Sequence, residues 1–182
     1  MAKAYILFAD GFEIIEALAS VDVMFRAGVE VVRVAVGNTL DVTSSHNLVS
    51  VHCDYTIDEA NFDDGDALIL PGGNPGYINL RSSKKVCDAV RNFYSSGRIV
   101  GAICGAPTVL VAAGVAHGRD ITCHSSVIDE MGDCNYCGGN VVEDKNLITG
   151  AGAGVSVEFA LAVAARLVDA ERLSQVRRGM EL

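Results

Sequence analysis

Cys104 is the residue of this sequence that is best placed to act as a nucleophile. It follows the apolar run 99–103, and Gly105, Ala106 and Pro107 come directly after it. This order is typical of a buried strand that turns into a helix, because proline is tolerated in a first helical turn. The unpaired N–H groups and positive dipole end of such a helix favour a thiolate over a thiol. The alternative is an inert cysteine that is buried for packing alone.

The ends of three other predicted strands carry groups that could assist a thiolate. Glu13 and Glu16 follow the first of these strands, and the pair Gly72 and Gly73 follows the second. His124 follows the third. A carboxyl can hold or donate a proton, glycine amides can bind an oxyanion, and an imidazole can relay a proton. Each group also has an ordinary interpretation, because glutamates are mostly exposed, glycine pairs mostly form turns, and a histidine can cap a strand end.

Strands and helices alternate along the chain. Apolar runs predict strands at 3–8, 29–36, 67–70, 99–103 and 120–123. Helical spacing predicts helices from 10 to 28, from 82 or 83 to 97, after 104, from 125 or 126 towards 131, and from 156 through 168. Polar turns predict hairpins within 40–51 and 140–149.

This alternation predicts an α/β fold. We expect a doubly wound, mostly parallel sheet with helices on both faces, in a flavodoxin-like three-layer sandwich with small appended hairpins. Sites in such sheets form where the carboxyl ends of strands converge at a switch in strand order. The loops that follow Phe8, Leu70, Ile103 and Cys123 are therefore expected to build the site.

Length and composition limit the possible classes of protein. The chain has 182 residues, enough to bury a core without disulfides or metal, and we expect a single domain over 1–182. A formal net charge of -9 argues against nucleic-acid or anionic-membrane partners, because either would repel the surface. The sequence has neither a signal-peptide core nor a membrane-spanning run, so we expect a cytoplasmic protein whose six cysteines are mostly free thiols.

Three motifs carry a resemblance to a known family. The segments ADGFEIIEA, LPGGNPG and GAICGAPTVL, in this order and spacing, resemble the ThiJ/PfpI superfamily in its parkinsonism-associated deglycase branch. The resemblance implies that Cys104 is the reactive cysteine and that Glu16 is the carboxyl that hydrogen-bonds it. It also implies a set of backbone amides around the thiol, from Gly72, Gly73 and Gly105, with His124 as the neighbouring histidine. A homodimer is implied as well, with a contact on the first helix through Ile15, Asp22 and Arg26.

The function that these residues favour is an enzyme that needs no cofactor or metal. Its substrates would be reactive dicarbonyls such as methylglyoxal, or glycated amines, and Cys104 would form a hemithioacetal on the way from methylglyoxal to lactate. This is the chemistry of a glyoxalase III or deglycase. The main alternative is a redox sensor or a stress-protective, chaperone-like protein that uses oxidation of Cys104. A cysteine peptidase is the weaker alternative, because the peptidase branch has a histidine at the position of Gly105.

Some other residues are expected to have no role in this chemistry. Cys134 and Cys137 form a CxxC pair, but they lack the second pair that a zinc module needs, and we expect incidental exposed thiols in preference to a regulatory disulfide or metal. Phe25 is expected to pack in the core, as are Met24 and Phe93. The histidines outside the proposed site are expected to contact solvent: His46, His52 and His117.

Overall fold

The computed structural model describes residues 1–182, from Met1 to Leu182. The strands are β1 (Lys3–Phe8), β2 (Glu30–Ala35), β3 (Asp41–Thr43), β4 (Ser50–His52), β5 (Tyr55–Thr56), β6 (Ala67–Leu70), β7 (Ile99–Ile103), β8 (Asp120–Ile121), β9 (Asn135–Tyr136), β10 (Val141–Asp144) and β11 (Leu147–Gly150). The helices are α1 (Ile14–Arg26), α2 (Gly76–Ser82), α3 (Lys84–Ser95), α4 (Pro107–Ala112), α5 (Ser156–Ala165) and α6 (Ala170–Gly179). Short 3-10 turns cover Ser45–Asn47, Ser125–Glu130 and Ala153–Val155.

Seven of these strands form one central sheet in the order β10-β11-β7-β6-β1-β2-β5. All neighbours in it are parallel except β10 and β11, which form an antiparallel hairpin at one edge. Strands β3 and β4 form a separate antiparallel hairpin. This arrangement confirms the predicted mostly parallel α/β sheet with appended hairpins.

The sheet is covered by helices on both faces because alternate residues of its strands pack against different helices. Leu7 and Leu68 share one apolar cluster with Phe93 of α3. Ile6, one residue earlier in β1, belongs to the other cluster, together with Phe159 of α5. Strands that are buried on both faces have continuous apolar sequences. Strands β6 and β7 were therefore predictable from the sequence. The three-layer arrangement is therefore confirmed.

The order of the strands switches at β1. The chain runs from β1 to β2 on one side, and later returns to β6 and β7 on the other side. Because all of these strands are parallel, the loops after β1, β6 and β7 lie at the same edge of the sheet. This edge is where the predicted site residues meet.

Two predicted elements differ from the structure around the sheet. The segment 120–123 was expected as a strand of the main sheet, but β8 pairs with β9 in a separate two-stranded sheet. Its continuation contacts β11 through a side chain, because the Thr122 amide donates to the Thr149 hydroxyl at 3.0 Å. The second strand of the hairpin predicted within 40–51 also starts later than expected. It is β4, which begins at Ser50, after the 3-10 turn Ser45–Asn47.

The helices differ from prediction mainly at their ends. Helix α1 begins at Ile14, with Glu13 as its N-cap, whereas the prediction placed the start at Asp10. Helix α2 directly follows the PGGNP loop and was not predicted. The last predicted helix ends at Ala165, and α6 follows as a separate helix that the Asp169 side chain caps by accepting from the Arg172 amide at 2.8 Å. No helix combines the length and apolar character needed to cross a membrane.

The prediction that Phe25 packs in the core is wrong. Its side chain is 74% exposed, although Met24 and Phe93 are fully buried as expected. Helix α1 buries the face that carries Ala17 and Val23, and Phe25 lies outside that face. An apolar residue can match helical spacing and still fall at the edge of the buried stripe.

Candidate active site

Cys104 lies at the corner between β7 and α4, in a backbone conformation that non-glycine residues rarely adopt. Its φ is +65°, in the left-handed region. Hydrogen bonds on both sides hold it there. The Cys104 amide donates to the Gly150 carbonyl at 2.9 Å, and the His124 amide donates to the Cys104 carbonyl at 2.9 Å. The resulting bend leaves the residue half-buried, with access to a surface cleft.

Glu16 is fully buried beside this corner, in the first turn of α1. Its Oε2 atom accepts a hydrogen bond from the Gly72 amide at 2.8 Å, while the buried Oε1 atom has no hydrogen-bond partner. Burial raises the pKa of Glu16 to about 7, against smaller lowering effects of the Gly72 amide and the Cys104 thiol. The carboxyl therefore gains or loses its proton close to neutral pH, unlike an exposed glutamate.

The thiol of Cys104 is not acidic in these surroundings. Its pKa lies at about 12, raised first by burial and then by the charge and hydrogen bond of Glu16. Hydrogen bonds from the amides of Gly73 and Gly105 lower it. The strand-helix corner alone therefore does not produce the acidic thiol that we expected from the sequence.

Cys104 and Glu16 must be treated as one titrating pair. The pair loses its first proton near pH 7, because that is where the Glu16 carboxyl titrates. One proton then remains for two neighbouring groups. When the carboxyl holds that proton, it no longer repels a negative sulfur and can donate a hydrogen bond to it. A thiolate formed in that state would have the protonated Glu16 carboxyl and the amides of Gly73 and Gly105 as hydrogen-bond donors.

The glycines of the PGG loop divide their roles between the two groups. The Gly72 amide donates to the Glu16 carboxyl, whereas the amides of Gly73 and Gly105 lower the pKa of the Cys104 thiol. A Cβ atom on Gly72 would lie 2.7 Å from the Cys104 Cβ and 2.8 Å from the Glu16 Oε2. No other residue type leaves room for these two side chains to meet.

His124 lies at the mouth of the same cleft and caps the 3-10 turn that follows it. Its Nδ1 atom accepts a hydrogen bond from the Ser126 amide at 3.2 Å and lies 2.8 Å from the Ser126 hydroxyl. These contacts assign the proton of the neutral ring to Nε2. His124 therefore caps a turn and also lines the cleft, and its role in proton transfer stays a prediction.

The cleft above Cys104 has a volume of about 350 Å³. It is lined by Cys104, Glu16, Glu13, Gly73, Gly105 and His124 and by six residues that the sequence analysis did not select: Ser45, His46, Asn74, Tyr77, Ser126 and Ala153. Asn74 and Tyr77 could have been suspected because they adjoin the PGG loop. Ser45 and His46 reach the cleft only because the loop between β3 and β4 packs against the start of α1. The expectation that His46 simply contacts solvent is therefore incomplete.

Comparison with known proteins decides the family. The sequence profile of the DJ-1/PfpI family matches residues 2–166. The chain belongs to the DJ-1/PfpI family. This membership confirms the resemblance that the three motifs indicated.

Members of the DJ-1/PfpI family from animals match nearly the whole chain. Parkinson disease protein 7 homolog of Danio rerio is 35% identical over 179 residues, which cover 96% of this chain and 94% of the relative. Glutathione-independent glyoxalase DJR-1.2 of Caenorhabditis elegans is 31% identical over 166 residues, which cover 90% of this chain and 87% of the relative. The crystal structure of Drosophila melanogaster DJ-1beta matches with a TM-score of 0.95 at 33% identity, covering 100% of this chain and 98% of that one.

The other cysteines of this DJ-1/PfpI protein lie outside the cleft. All six cysteines are free in the structure; Cys123 is buried, Cys134 is half-buried, and Cys137 is exposed. No group of three or more His, Cys, Asp or Glu side chains has an arrangement that could hold a metal ion. The CxxC segment thus contributes nothing to the candidate site.

The residues predicted to contact a second copy lie on the exposed side of α1. Ile15 is 55% exposed, and the exposed Asp22 and Arg26 form an ion pair with a 2.7 Å separation. Phe25, which the sequence analysis assigned to the core, lies next to Arg26 and is also exposed. The predicted dimer contact is therefore available at the surface and stays a prediction.

Proposed function

We propose that this protein is a cysteine-dependent, cofactor-independent enzyme that converts reactive 2-oxoaldehydes such as methylglyoxal to hydroxy acids, and that it also acts on their amine adducts. The observation that carries the proposal is the pairing of Cys104 with a buried carboxyl that titrates near neutral pH. The name of the Caenorhabditis elegans relative, a glutathione-independent glyoxalase, supports the same activity.

The first step is addition of the Cys104 thiol to the aldehyde. The sulfur bonds to the aldehyde carbon, and the aldehyde oxygen takes up the proton that the thiol and Glu16 share, which gives a hemithioacetal. The amides of Gly73 and Gly105 lower the pKa of the Cys104 thiol, which supports them as donors to the negative charge that develops beside the sulfur. No external oxidant or cofactor enters this step.

The second step moves a proton between the two carbons of the substrate. The carbon bound to sulfur loses its hydrogen as a proton, and the neighbouring ketone carbon gains one, so the hemithioacetal becomes a thioester of a hydroxy acid. Glu16 is the better candidate for this transfer, because its Oε1 atom is buried without a partner beside Cys104. His124, whose neutral ring carries its proton on Nε2, is better suited to donate a hydrogen bond to the substrate oxygens.

The last step is hydrolysis of the thioester. Water adds to the thioester carbon, the carbon–sulfur bond breaks, and the thiol is restored. The overall reaction consumes one water molecule, oxidises the aldehyde carbon to a carboxylic acid and reduces the ketone carbon to an alcohol. Methylglyoxal is thereby converted to lactate.

The test of this proposal is replacement of the nucleophile. Cys104→Ser is expected to lower lactate formation from methylglyoxal to less than about one thousandth of the wild-type rate, because an alkoxide is far harder to form than a thiolate. Cys137→Ser, which removes an exposed thiol, is the matched control and should leave the rate unchanged. Retained turnover in Cys104→Ser would rule out this chemistry.

A redox sensor is the second candidate, because the same half-buried sulfur and its amide donors could stabilise an oxidised cysteine. Peroxide would oxidise Cys104 to the sulfinic acid while two peroxide molecules are reduced to water. Mass spectrometry after graded peroxide separates the candidates. Selective oxidation of Cys104 in a protein with negligible dicarbonyl turnover would favour the sensor over the enzyme.

We also propose that two copies of the chain associate through the exposed side of α1. Phe25 and Ile15 are large apolar side chains in a surface otherwise rich in charge, and such residues gain stability when they are covered. Phe25→Asp is expected to shift the protein towards the monomer in sedimentation velocity. Leu48→Asp, at another exposed apolar residue that lies outside α1, should not change the sedimentation coefficient.

A further inference from the structure

The cleft above Cys104 is large for methylglyoxal. Its volume of about 350 Å³ lies in the range of roughly 300–1,000 Å³ that buries a drug-sized ligand, whereas methylglyoxal has only three carbons. Three of its polar lining residues, Ser45, His46 and Asn74, have no function in the proposed reaction. A larger substrate would use them.

A second hollow adjoins the cleft beyond the turn Ser45–Asn47. Its volume is about 450 Å³, and Ser45 and His46 line both spaces, so the two are neighbours. The second hollow, called here the polar hollow, is lined by Asp10, Gly11, Thr43, Ser44, Ser45, His46, Asn47 and Pro75. Apart from the proline ring, these residues present hydroxyl, carboxylate, imidazole, amide and backbone groups.

The turn between the two spaces is held firmly in place. The Ser45 amide donates to the Phe12 carbonyl at 2.9 Å, and the Ser45 hydroxyl donates to the Gly11 carbonyl at 2.7 Å. The Gly11 amide in turn donates to the Thr43 carbonyl at 2.7 Å. This segment also leads into α1 and Glu16, so the polar hollow has a defined position relative to Cys104. Binding of a ligand there would cost little conformational entropy, because the protein segment is already ordered.

Two side chains of this turn lie on left-handed backbone, with φ of 60° at His46 and 56° at Asn47. Non-glycine residues in this conformation cluster at ligand-binding sites, where the surroundings hold the strain. Neither side chain has a hydrogen-bond partner within the protein. Asp10 uses one carboxylate oxygen to accept from the Thr43 amide at 2.9 Å, which leaves the other oxygen available.

The available groups of the polar hollow match hydroxyl groups. A hydroxyl both donates and accepts, so it can donate to the Asp10 carboxylate and pair with either function of the Asn47 amide. A peptide with apolar side chains would gain no apolar contact here. A phosphorylated or carboxylated group would meet the negative charge of Asp10, without an arginine or lysine in the lining to offset it.

We infer that the polar hollow binds the hydroxylated tail of a sugar-derived 2-oxoaldehyde, whose aldehyde end lies over Cys104. This inference rests on the proposed function and names its substrate class. The reaction is unchanged: sulfur adds to the aldehyde, a proton moves from that carbon to the ketone carbon, and water releases the hydroxy acid and the thiol. The tail carbons take no part in bond making, and they contribute binding energy only.

The experiment compares two substrates in one variant. The 2-oxoaldehydes are methylglyoxal and 3-deoxyglucosone, which carries a hydroxylated tail. Asn47→Gly removes the amide but keeps the left-handed backbone free of strain. It is expected to lower kcat/KM for 3-deoxyglucosone about tenfold, as for loss of a ligand hydrogen bond, and to change kcat/KM for methylglyoxal less than about twofold. Lys145→Gly, at another left-handed residue in the β10–β11 turn, is the matched control and should affect neither substrate.

Other outcomes would overturn the inference in different ways. Equal losses for both substrates, or no loss for either, would show that the polar hollow does not bind the tail. Turnover of methylglyoxal without turnover of 3-deoxyglucosone would overturn the substrate class while leaving the proposed function intact. Absence of turnover with both would instead overturn the proposed function.

A binding measurement tests the polar hollow even if the wild-type protein turns over neither substrate. In Cys104→Ser protein, 3-deoxyglucosone is expected to shift the NMR signal of the Asn47 side-chain amide, whereas methylglyoxal is not. If the signal shifts but the wild-type protein shows no turnover, the binding site is supported and the proposed reaction is rejected. No shift at saturating 3-deoxyglucosone would reject the site itself.

Discussion

Cys104 and Cys137 show how differently two thiols of one chain can be placed. Cys104 lies at a strained corner, next to a buried carboxyl, two backbone amides and a cleft. Cys137 follows a two-residue strand at the surface, and its sulfur donates a hydrogen bond to the nearby Asn135 carbonyl at 3.3 Å. The CxxC spacing of Cys134 and Cys137 is as conspicuous in the sequence as the motif around Cys104. The comparison teaches that reactivity depends on the groups packed around a sulfur, which a short spacing pattern does not report.

Among changes to the surroundings of the two thiols, the largest effect is expected from removing the Glu16 carboxyl. The amide side chain in Glu16→Gln cannot lose a proton. Residue 16 and Cys104 can therefore no longer reach a singly charged state near pH 7. We expect lactate formation to fall by about 100-fold or more, which is typical for loss of an acid–base group. Iodoacetamide should alkylate wild-type Cys104 with a rate that rises through about pH 7, and the rise should move to higher pH in Glu16→Gln.

Cys137 serves as the internal reference in that alkylation experiment. Its alkylation rate, followed by mass spectrometry of the same samples, should be identical in the wild type and in Glu16→Gln. If Cys104 reacts with the same pH dependence in both proteins, Glu16 does not control the thiol. The difference between the two cysteines would then have to come from the backbone amides alone.

A smaller effect is expected from crowding the corner. A Cβ atom on Gly105 would lie 2.6 Å from the Tyr77 ring, so Gly105→Ala must displace that ring or the corner. Overpacking of this kind costs about 1–3 kcal/mol, which urea unfolding can measure, and we expect lactate formation to fall as well. Gly154→Ala, where a Cβ atom meets nothing within 4 Å, should change stability by less than about 0.5 kcal/mol. Equal stability of both variants would contradict the packing described here.

The smallest effect is expected at the CxxC segment. Cys134 and Cys137 flank β9, and at about 3.3 Å per residue their Cα atoms are roughly 10 Å apart, beyond the limit of about 7 Å for a disulfide. Mild oxidation of the folded protein should therefore not link them. Mass spectrometry should detect the disulfide only after urea has released β9 from β8. A disulfide in the folded protein would show that β9 opens readily and would weaken the contrast with Cys104.

Most of the fold was predictable because its evidence is local. The buried strands β6 and β7 are continuous apolar runs, and the corner at Cys104 is marked by the small residues and Pro107 that follow. The errors also have local causes. Phe25 satisfies helical spacing, yet only the packing of α1 shows that it lies outside the buried face. Helix α2 was missed because it begins directly after a loop rich in glycine and proline.

The candidate site was predictable only in part. Cys104 and the glycines of the PGG loop follow recognisable strands, and the family resemblance supplied Glu16 and its partner. The lining by Ser45 and His46 was not foreseeable, because it depends on a hairpin loop that packs against a segment more than thirty residues earlier in the chain. The different tasks of Gly72 and Gly73 also emerged only from the hydrogen bonds.

The sequence by itself determined which chemical groups are present and where the backbone turns, since apolar runs, glycines and Pro107 constrain the chain within a few residues. Only the tertiary structure decided how those groups behave. Glu16 meets the Gly72 amide across 56 positions of the chain, and its pKa near 7 arises because the fold removes it from water. Desolvation and long-range hydrogen bonds depend on which distant residues become neighbours. Those neighbours are set only when the chain folds into the sheet and its surrounding helices.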